Sequence, residues 1–262
     1  MTTTTDNHWL DDRCAKAFWD QHKARSYQEL LRDTTAWLDP LPGETWLDLG
    51  CGGGQLTAAL WQKSRGTVSR IYALDCAAIN AEALEKLRAR LHPEPTDDQL
   101  PFLQANFSDG LGQFPDHSLD GVVSGLALSY AESRDPATGQ FTTDGYQHIF
   151  AEIFRVLKPG GRLVFSVNVP DPKFWRIFWK SLTLGFSLSK PAKVLTNALK
   201  MQRYGSWLKQ EARRGRFHFL PLPQLTQLVQ QAGFRNFRAR LSYAEQAYLI
   251  STCKPVVMTS AA

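Results

Sequence analysis

The chain has 262 residues, 43% of them hydrophobic, and carries a formal net charge of +5. That is enough apolar material to bury one substantial core, and one domain with extensions fits better than two. Its four cysteines (Cys14, Cys51, Cys76, Cys253) are scattered, with no C-x-x-C pair and no histidine cluster, which argues against both a zinc site and a disulfide framework.

Residues 1–44 form an arm with two aromatic-rich helical stretches, carrying Trp9, Leu10, Phe18, Trp19, Tyr27, Leu30, Leu31 and Leu38. Met1 to Asn7 is polar and Thr-rich, without the basic start and apolar run of a secretory signal, and no later run is long enough to span a bilayer. The expectation is a reduced, cytoplasmic setting.

A β-like run, Thr45 to Leu47, leads into Asp48-Leu49-Gly50-Cys51-Gly52-Gly53-Gly54, and a helix opens immediately after it with Leu56, Ala59 and Leu60. Glycines at such a junction let the backbone turn sharply and approach a ligand, while the new helix offers free N–H groups. A dinucleotide fingerprint places its third glycine three residues after the second; here that position is Gln55. The observed pattern is D-x-G-x-G-x-G, and an acid leading the turn suits a ligand ammonium while repelling a pyrophosphate.

A second strand-like run, Ser69 to Leu74, ends in Asp75, at the interval where nucleotide folds hold ribose hydroxyls. The alternative for Asp75 is to cap the following helix, Ala78 to Leu91. Cys51 and Cys76 flank these acids and could either touch the cofactor or serve as small packing residues. Phe102 to Phe107 reads as a short third strand leading into the pair Asn106 and Phe107. Leu119 to Ser124 is a compact apolar run read as a buried fourth strand, with Ser124 at its end a further candidate cofactor contact. A helix from about Gly145 to Leu157 places Ile149, Ile153, Val156 and Leu157 on one face; Lys158-Pro159-Gly160-Gly161 should end it before a strand over Arg162 to Val167. Leu222 to Ala232 reads as the last helix, followed by a hairpin of two strands around Arg238 and Leu249.

From Thr45 to about Lys254 these motifs resemble the class I S-adenosylmethionine (SAM) methyltransferases, through the acid-led glycine loop and the phrase Arg155 to Gly161. The resemblance implies a Rossmann-like α/β fold. Its sheet should have seven strands, mostly parallel, with an antiparallel last strand beside the fifth and helices on both faces. It implies SAM as cofactor. Asp48, Gly50, Cys51, Gly52 and Gly54 would hold its methionine end and Asp75 its ribose. Asn106 and Phe107 would lie at the adenine, Asn106 accepting from the amino group and Phe107 packing on the ring, with Cys76 and Ser124 as further cofactor contacts. It also implies that residues 1–44 close over the cofactor, that residues 45–262 form the catalytic domain, and that the insertion at about 171–216 is a helical lid.

That insertion holds eleven Lys and Arg against two acids, Asp171 and Glu211, a local charge of +9 against +5 for the whole chain. Trp175, Phe178, Trp179, Leu182 and Phe186 recur at helical spacing among Lys173, Arg176 and Lys180. The pattern suits a lid with solvated lysines or a segment lying at a lipid headgroup region. RNA binding would need the same charge with exposed stacking aromatics, and no recognised RNA-binding motif is present.

Methyl transfer is an in-line displacement needing alignment and exclusion of water, with a base only if the acceptor must lose a proton. After the fourth strand stands Ser124-Gly125-Leu126-Ala127, not the D/N-P-P-Y segment of amino-methylating nucleic-acid enzymes. There is no Pro-Cys nucleophile, and Glu132 lacks a partner acid of the arginine-methylating kind. What remains is a small-molecule acceptor, lipid- or quinone-like. Phe217-His218-Phe219-Leu220-Pro221 resembles a stretch of the ubiquinone and menaquinone methyltransferases. A non-catalytic binding or assembly protein on the same fold, and an RNA-modifying enzyme, stay as alternatives. Tyr130, just past the fourth strand's carboxyl end, and His218 are the candidate catalytic residues; His148, inside a helix, reads as a surface residue.

Overall fold

A computed structural model describes residues 9, 19, 24–173, 175–177 and 203–256. One seven-stranded sheet organises it: β1 (Thr45–Leu49), β2 (Arg70–Asp75), β3 (Phe102–Gln104), β4 (Leu119–Gly125), β5 (Leu157–Asn168), β6 (Arg235–Ser242) and β7 (Ala247–Cys253). Their spatial order is β3-β2-β1-β4-β5-β7-β6. β1 to β5 pair in parallel, whereas β7 runs antiparallel to both β5 and β6. The Rossmann-like sheet and the antiparallel hairpin expected from the sequence are therefore present. The helices are α1 (Arg25–Trp37), α2 (Gln55–Lys63), α3 (Asn80–Arg88), α4 (Asp144–Val156) and α5 (Leu222–Gln231).

Alternation along the strands divides the core between the two faces of the sheet. Leu47, Val122, Phe165 and Ile250 belong to one cluster, which α4 completes with Ile149, Phe150 and Ile153 and α5 with Leu225 and Val229. Their neighbours Trp46, Val123, Val164 and Leu249 belong to another, completed by Leu56, Leu60 and Trp61 of α2 and by Leu38 just past α1. Trp46 and Gly121 face each other in register, and a Cβ on Gly121 would lie 2.5 Å from the indole ring. The glycine is there because the tryptophan fills its place.

Three boundaries differ from expectation. Lys158-Pro159-Gly160-Gly161 is not a separate turn. β5 starts at Leu157, and pairing jumps from Leu119 with Leu157 to Gly121 with Arg162, so the four residues form a bulge inside the strand. Gly160 takes φ +81°, and Lys158 reaches across to both oxygens of Asp120 at 2.8 Å, closing the bulge. β3 stops at Gln104, since Asn106 caps a 3-10 turn over Phe107–Asp109. α3 is shorter than the predicted helix because three-residue turns hold both of its ends.

The hairpin's outer strand, β6, is one of the sheet's two edges and carries Arg235, Arg238 and Arg240, charges that discourage edge-to-edge pairing. Arg238 and Arg240 both cover the Trp37 ring, and Asp33 of α1 accepts from Arg240 and Ser242, which fixes α1 across the sheet's far end. Among the described residues no helix is long and apolar enough to cross a membrane.

Gly121→Ala should overpack the central sheet against Trp46 and cost about 1–3 kcal/mol. Urea denaturation would show this as a lower midpoint; an unchanged midpoint would mean that Trp46 has room to move.

Candidate functional site

In an open α/β sheet the strands flanking the reversal of order leave a crevice at their carboxyl ends. Here β1 lies between β2 and β4, and the glycine loop leaves β1 at that crevice. Gly50 and Cys51 both donate their N–H to the Leu74 carbonyl, tying the loop to β2. A Cβ on Gly50 would stand 2.3 Å from the Ala127 Cβ and 3.6 Å from the Phe107 ring, so only glycine lets the loops after β1, β3 and β4 meet. Gly52, at φ +51°, is the opposite case: a Cβ there would meet nothing within 4 Å, so open space lies over the loop. Gly54 starts α2 and fits against Leu84 and Leu87 of α3.

Asp48 is 1% exposed. One carboxylate oxygen accepts from the Thr57 hydroxyl of α2 at 2.7 Å; the other is buried without a hydrogen-bond partner. Burial pushes its pKa up to about 7, against the Thr57 bonds, which lower it, and with the Asp75 charge adding to the rise. An unpaired buried carboxylate oxygen is costly, so its persistence at a crevice points to a cationic donor as its partner. Tyr27 of α1 lies near enough for Asp48 and Tyr243 to add to the burial that raises its phenol.

Asp75 accepts from the Gly52 N–H at 2.9 Å and from the Ala77 N–H at 3.0 Å. It therefore braces the glycine loop and begins the turn into α3, while each oxygen keeps a second lone pair for ribose hydroxyls. Asn106 uses its side-chain oxygen to accept from the Ser108 N–H, and Phe107 packs beside the core. Of the two cysteines beside the acids, Cys51 is a packing residue and Cys76 is part-exposed. Cys51 is buried against Ala73 and Leu84 with its thiol pushed well up, and burial, with Asp75 adding, lifts Cys76 to about 12. Ser124 needs correction as a cofactor contact: it is fully buried, and its hydroxyl donates to the Leu49 carbonyl at 2.7 Å, joining β4 to β1 behind the loop.

The candidate catalytic residues do not have the properties of bases. Burial raises the Tyr130 phenol above its ordinary value, with Tyr243 adding to the rise, and its oxygen accepts from Asn168 at 3.1 Å. It is held protonated at neutral pH, in contact with Trp9 (4.7 Å between ring centroids) and Phe217 (4.9 Å). His218 is 3% exposed and stacks on Tyr146 at 4.8 Å; its Nε2 donates to the Ala131 carbonyl at 3.0 Å, and burial lowers its pKa. It is a neutral packing and hydrogen-bonding residue. His148 is exposed, beside Gly110 on the flank of α4.

The arm reaches this region. Trp9 joins the rings around Tyr130, and Trp19 donates to the Asn80 side chain at 2.7 Å at the start of α3. Of the aromatic stripe in the insertion, Trp175 is 60% exposed, while Phe178, Trp179, Leu182 and Phe186 lie outside the described residues.

Sequence reasoning missed three contributors. Thr57 follows Asp48 by nine residues, in the first turn of the helix behind the loop, and a hydroxyl at that place is a readable signal. Asn168 ends β5 and carried no motif. Arg216 is buried between Glu132 (2.9 Å) and Glu211 (3.3 Å), giving Glu132 the partner the sequence did not reveal and joining the loop after β4 to the end of the insertion. Burial is the main influence on Glu132, raising its pKa despite Arg216.

A methyltransferase domain model matches residues 47–165. The demethylmenaquinone methyltransferase of Lactococcus lactis is 31% identical over 196 residues, 74% of this chain and 67% of that protein. That of Symbiobacterium thermophilum is 30% identical over 163 residues, 60% of this chain and 58% of that protein, so this chain spans under two thirds of that relative's length. In fold, the chain is similar to a SAM-dependent methyltransferase from Aquifex aeolicus, with TM-score 0.57 and 13% identity, covering 92% of this chain and 97% of that one. The protein belongs to the class I SAM-dependent methyltransferases. The residues fit that cofactor: the unpaired Asp48 oxygen suits an ammonium, and the space over Gly52 suits close passage of a ligand.

SAM affinity should rise with pH between about 6 and 8 as Asp48 ionises, and calorimetry on Asp48→Asn should give a flat, weaker profile. The stability sign is opposite. A carboxyl raised from its unfolded value near 4 to about 7 stabilises the ligand-free fold at low pH, and that contribution fades as pH rises through 7. Thermal melts of the free protein should therefore lose stability over that range in wild type more than in Asp48→Asn. A separate expectation concerns Asp75→Ala, which removes charged hydrogen bonds of about 1.5–3 kcal/mol each and should weaken SAM binding at least roughly tenfold. Unaltered affinity would take Asp75 out of the site.

Proposed function

We propose that this protein transfers a methyl group from SAM to a small apolar or amphiphilic acceptor of lipid- or quinone-like character. The carrying observation is the Asp48 carboxylate, buried at the carboxyl end of β1 with one oxygen unpaired beside the glycine loop. The relatives named as demethylmenaquinone methyltransferases support the acceptor class.

When bound, SAM supplies an activated methyl group on a sulfonium. This chain's own residues would do the rest: Asp48 and the loop amides fix one end of the ligand, Asp75 the ribose, and Asn106 with Phe107 the base. Trp9, Tyr130, Phe217 and Phe219 make an aromatic wall past β4 that excludes water. Tyr130 and Asn168 offer hydrogen bonds that orient an acceptor oxygen. With Tyr130 protonated and His218 bonded to a carbonyl, neither takes a proton readily, which favours an acceptor that is already ionised or electron-rich.

The test is to incubate the purified protein and methyl-labelled SAM with an organic-solvent extract of the host. Label should enter an apolar product, and Asp48→Asn should reduce incorporation. SAM binding without transfer to any extract would favour a non-catalytic binding protein, and label in RNA would move the acceptor class.

A further inference from the structure

Two rings of the aromatic wall, Phe217 and Phe219, line a cavity of about 420 Å³, within the range of small-molecule sites. Its sides come from four places: Thr143 before α4, Pro170 and Asp171 after β5, the helical stretch at 203–213, and the extended run 217–220. Phe217 and Phe219 line it and also pack on Tyr130, at 4.9 and 6.2 Å between ring centroids. Two rings of the proposed aromatic wall are thus also rings of this cavity.

Its rim is unevenly charged. Lys209 bonds to Asp171 at 2.7 Å, while Arg213, also lining the cavity, and Lys173 both bear on the same carboxylate and help hold it below its usual range. Among the residues lining the cavity two cations, Lys209 and Arg213, therefore stand against one acid, leaving positive charge over an apolar floor. Exposed surface ion pairs do not demand such an excess, and a solvated rim has no use for the floor.

We propose that this cavity binds a soluble amphiphilic anion, with a phosphate or carboxylate head between Lys209 and Arg213 and an apolar portion along Pro170, Phe219 and Leu220. The inference deepens the proposed function by giving the acceptor a charged end, and rests on it only for that link; the site itself needs no SAM.

The probe is octyl phosphate below its micellar concentration, titrated into the full chain by calorimetry, with octyl glucoside and octyltrimethylammonium as same-length controls. Octyl phosphate should bind at least roughly tenfold tighter than either, and the double variant K209E/R213E should lose at least that factor while melting as wild type does. Butyl phosphate should bind more weakly than octyl phosphate, which reports the floor without any mutation. Equal binding of octyl glucoside, or a double variant that binds normally, would overturn the proposal. Pelleting with phosphatidylglycerol vesicles without binding of the monomer would also overturn it, in favour of a membrane surface. Binding of octyl phosphate by a protein that ignores SAM would support this site and remove the methyltransferase reading.

Discussion

A carboxylate buried at the end of a central strand with one oxygen unpaired is an expensive feature, and the carboxyl end of this sheet is arranged around it. Thr57 satisfies the first oxygen from the helix that follows, and the second stays buried without a hydrogen-bond partner. Burial keeps the group near neutrality in its titration, so the free fold tolerates it by holding the proton part of the time. A cationic ligand removes that conflict, which links cofactor binding to both pH and stability.

The loops that meet at this crevice are held from several directions. Asp75 braces Gly52 from β2, Ala127 presses on Gly50 from beyond β4, and Leu126 adopts a left-handed φ of +59° with its N–H on the Ser166 carbonyl. A left-handed leucine costs about 1–2 kcal/mol, and here the strain aims the chain after β4 toward the wall containing Tyr130. Beyond that wall, Arg216 ties the insertion's end to Glu132 between the Phe141 and Phe217 rings. A buried cation between two carboxylates is weak evidence for stability, yet removing Arg216 would take from Glu132 its ion pair at 2.9 Å. It therefore fixes where the insertion rejoins the sheet.

The aromatic wall has two kinds of neighbour. Tyr130 packs with Trp9 and accepts from Asn168, whereas Phe217 and Phe219 also line the outer cavity, which has Lys209 and Arg213 at its rim.

The glycine loop and its flanking elements were legible in the sequence because their logic is local. An acid two residues before a glycine run, a strand before it and a helix after it fix Asp48, the loop and α2 within a dozen residues, and the strand ending in Asp75 follows the same rule. The parallel sheet and final hairpin were legible because alternating apolar runs separated by helices permit few topologies. Contacts between distant segments were not. Ser124 looked like a ligand contact until β1 supplied the Leu49 carbonyl; His218 looked catalytic until Ala131 and Tyr146 enclosed it; the ion pair of Glu132 with Arg216, 84 residues on, left no trace in the sequence. The sequence by itself determined the family, the glycine turn between strand and helix, and the mostly parallel sheet with its final hairpin, through patterns a few residues long. Only the tertiary structure decided which polar groups remain open to a ligand, because a side chain's availability depends on what the rest of the fold places against it.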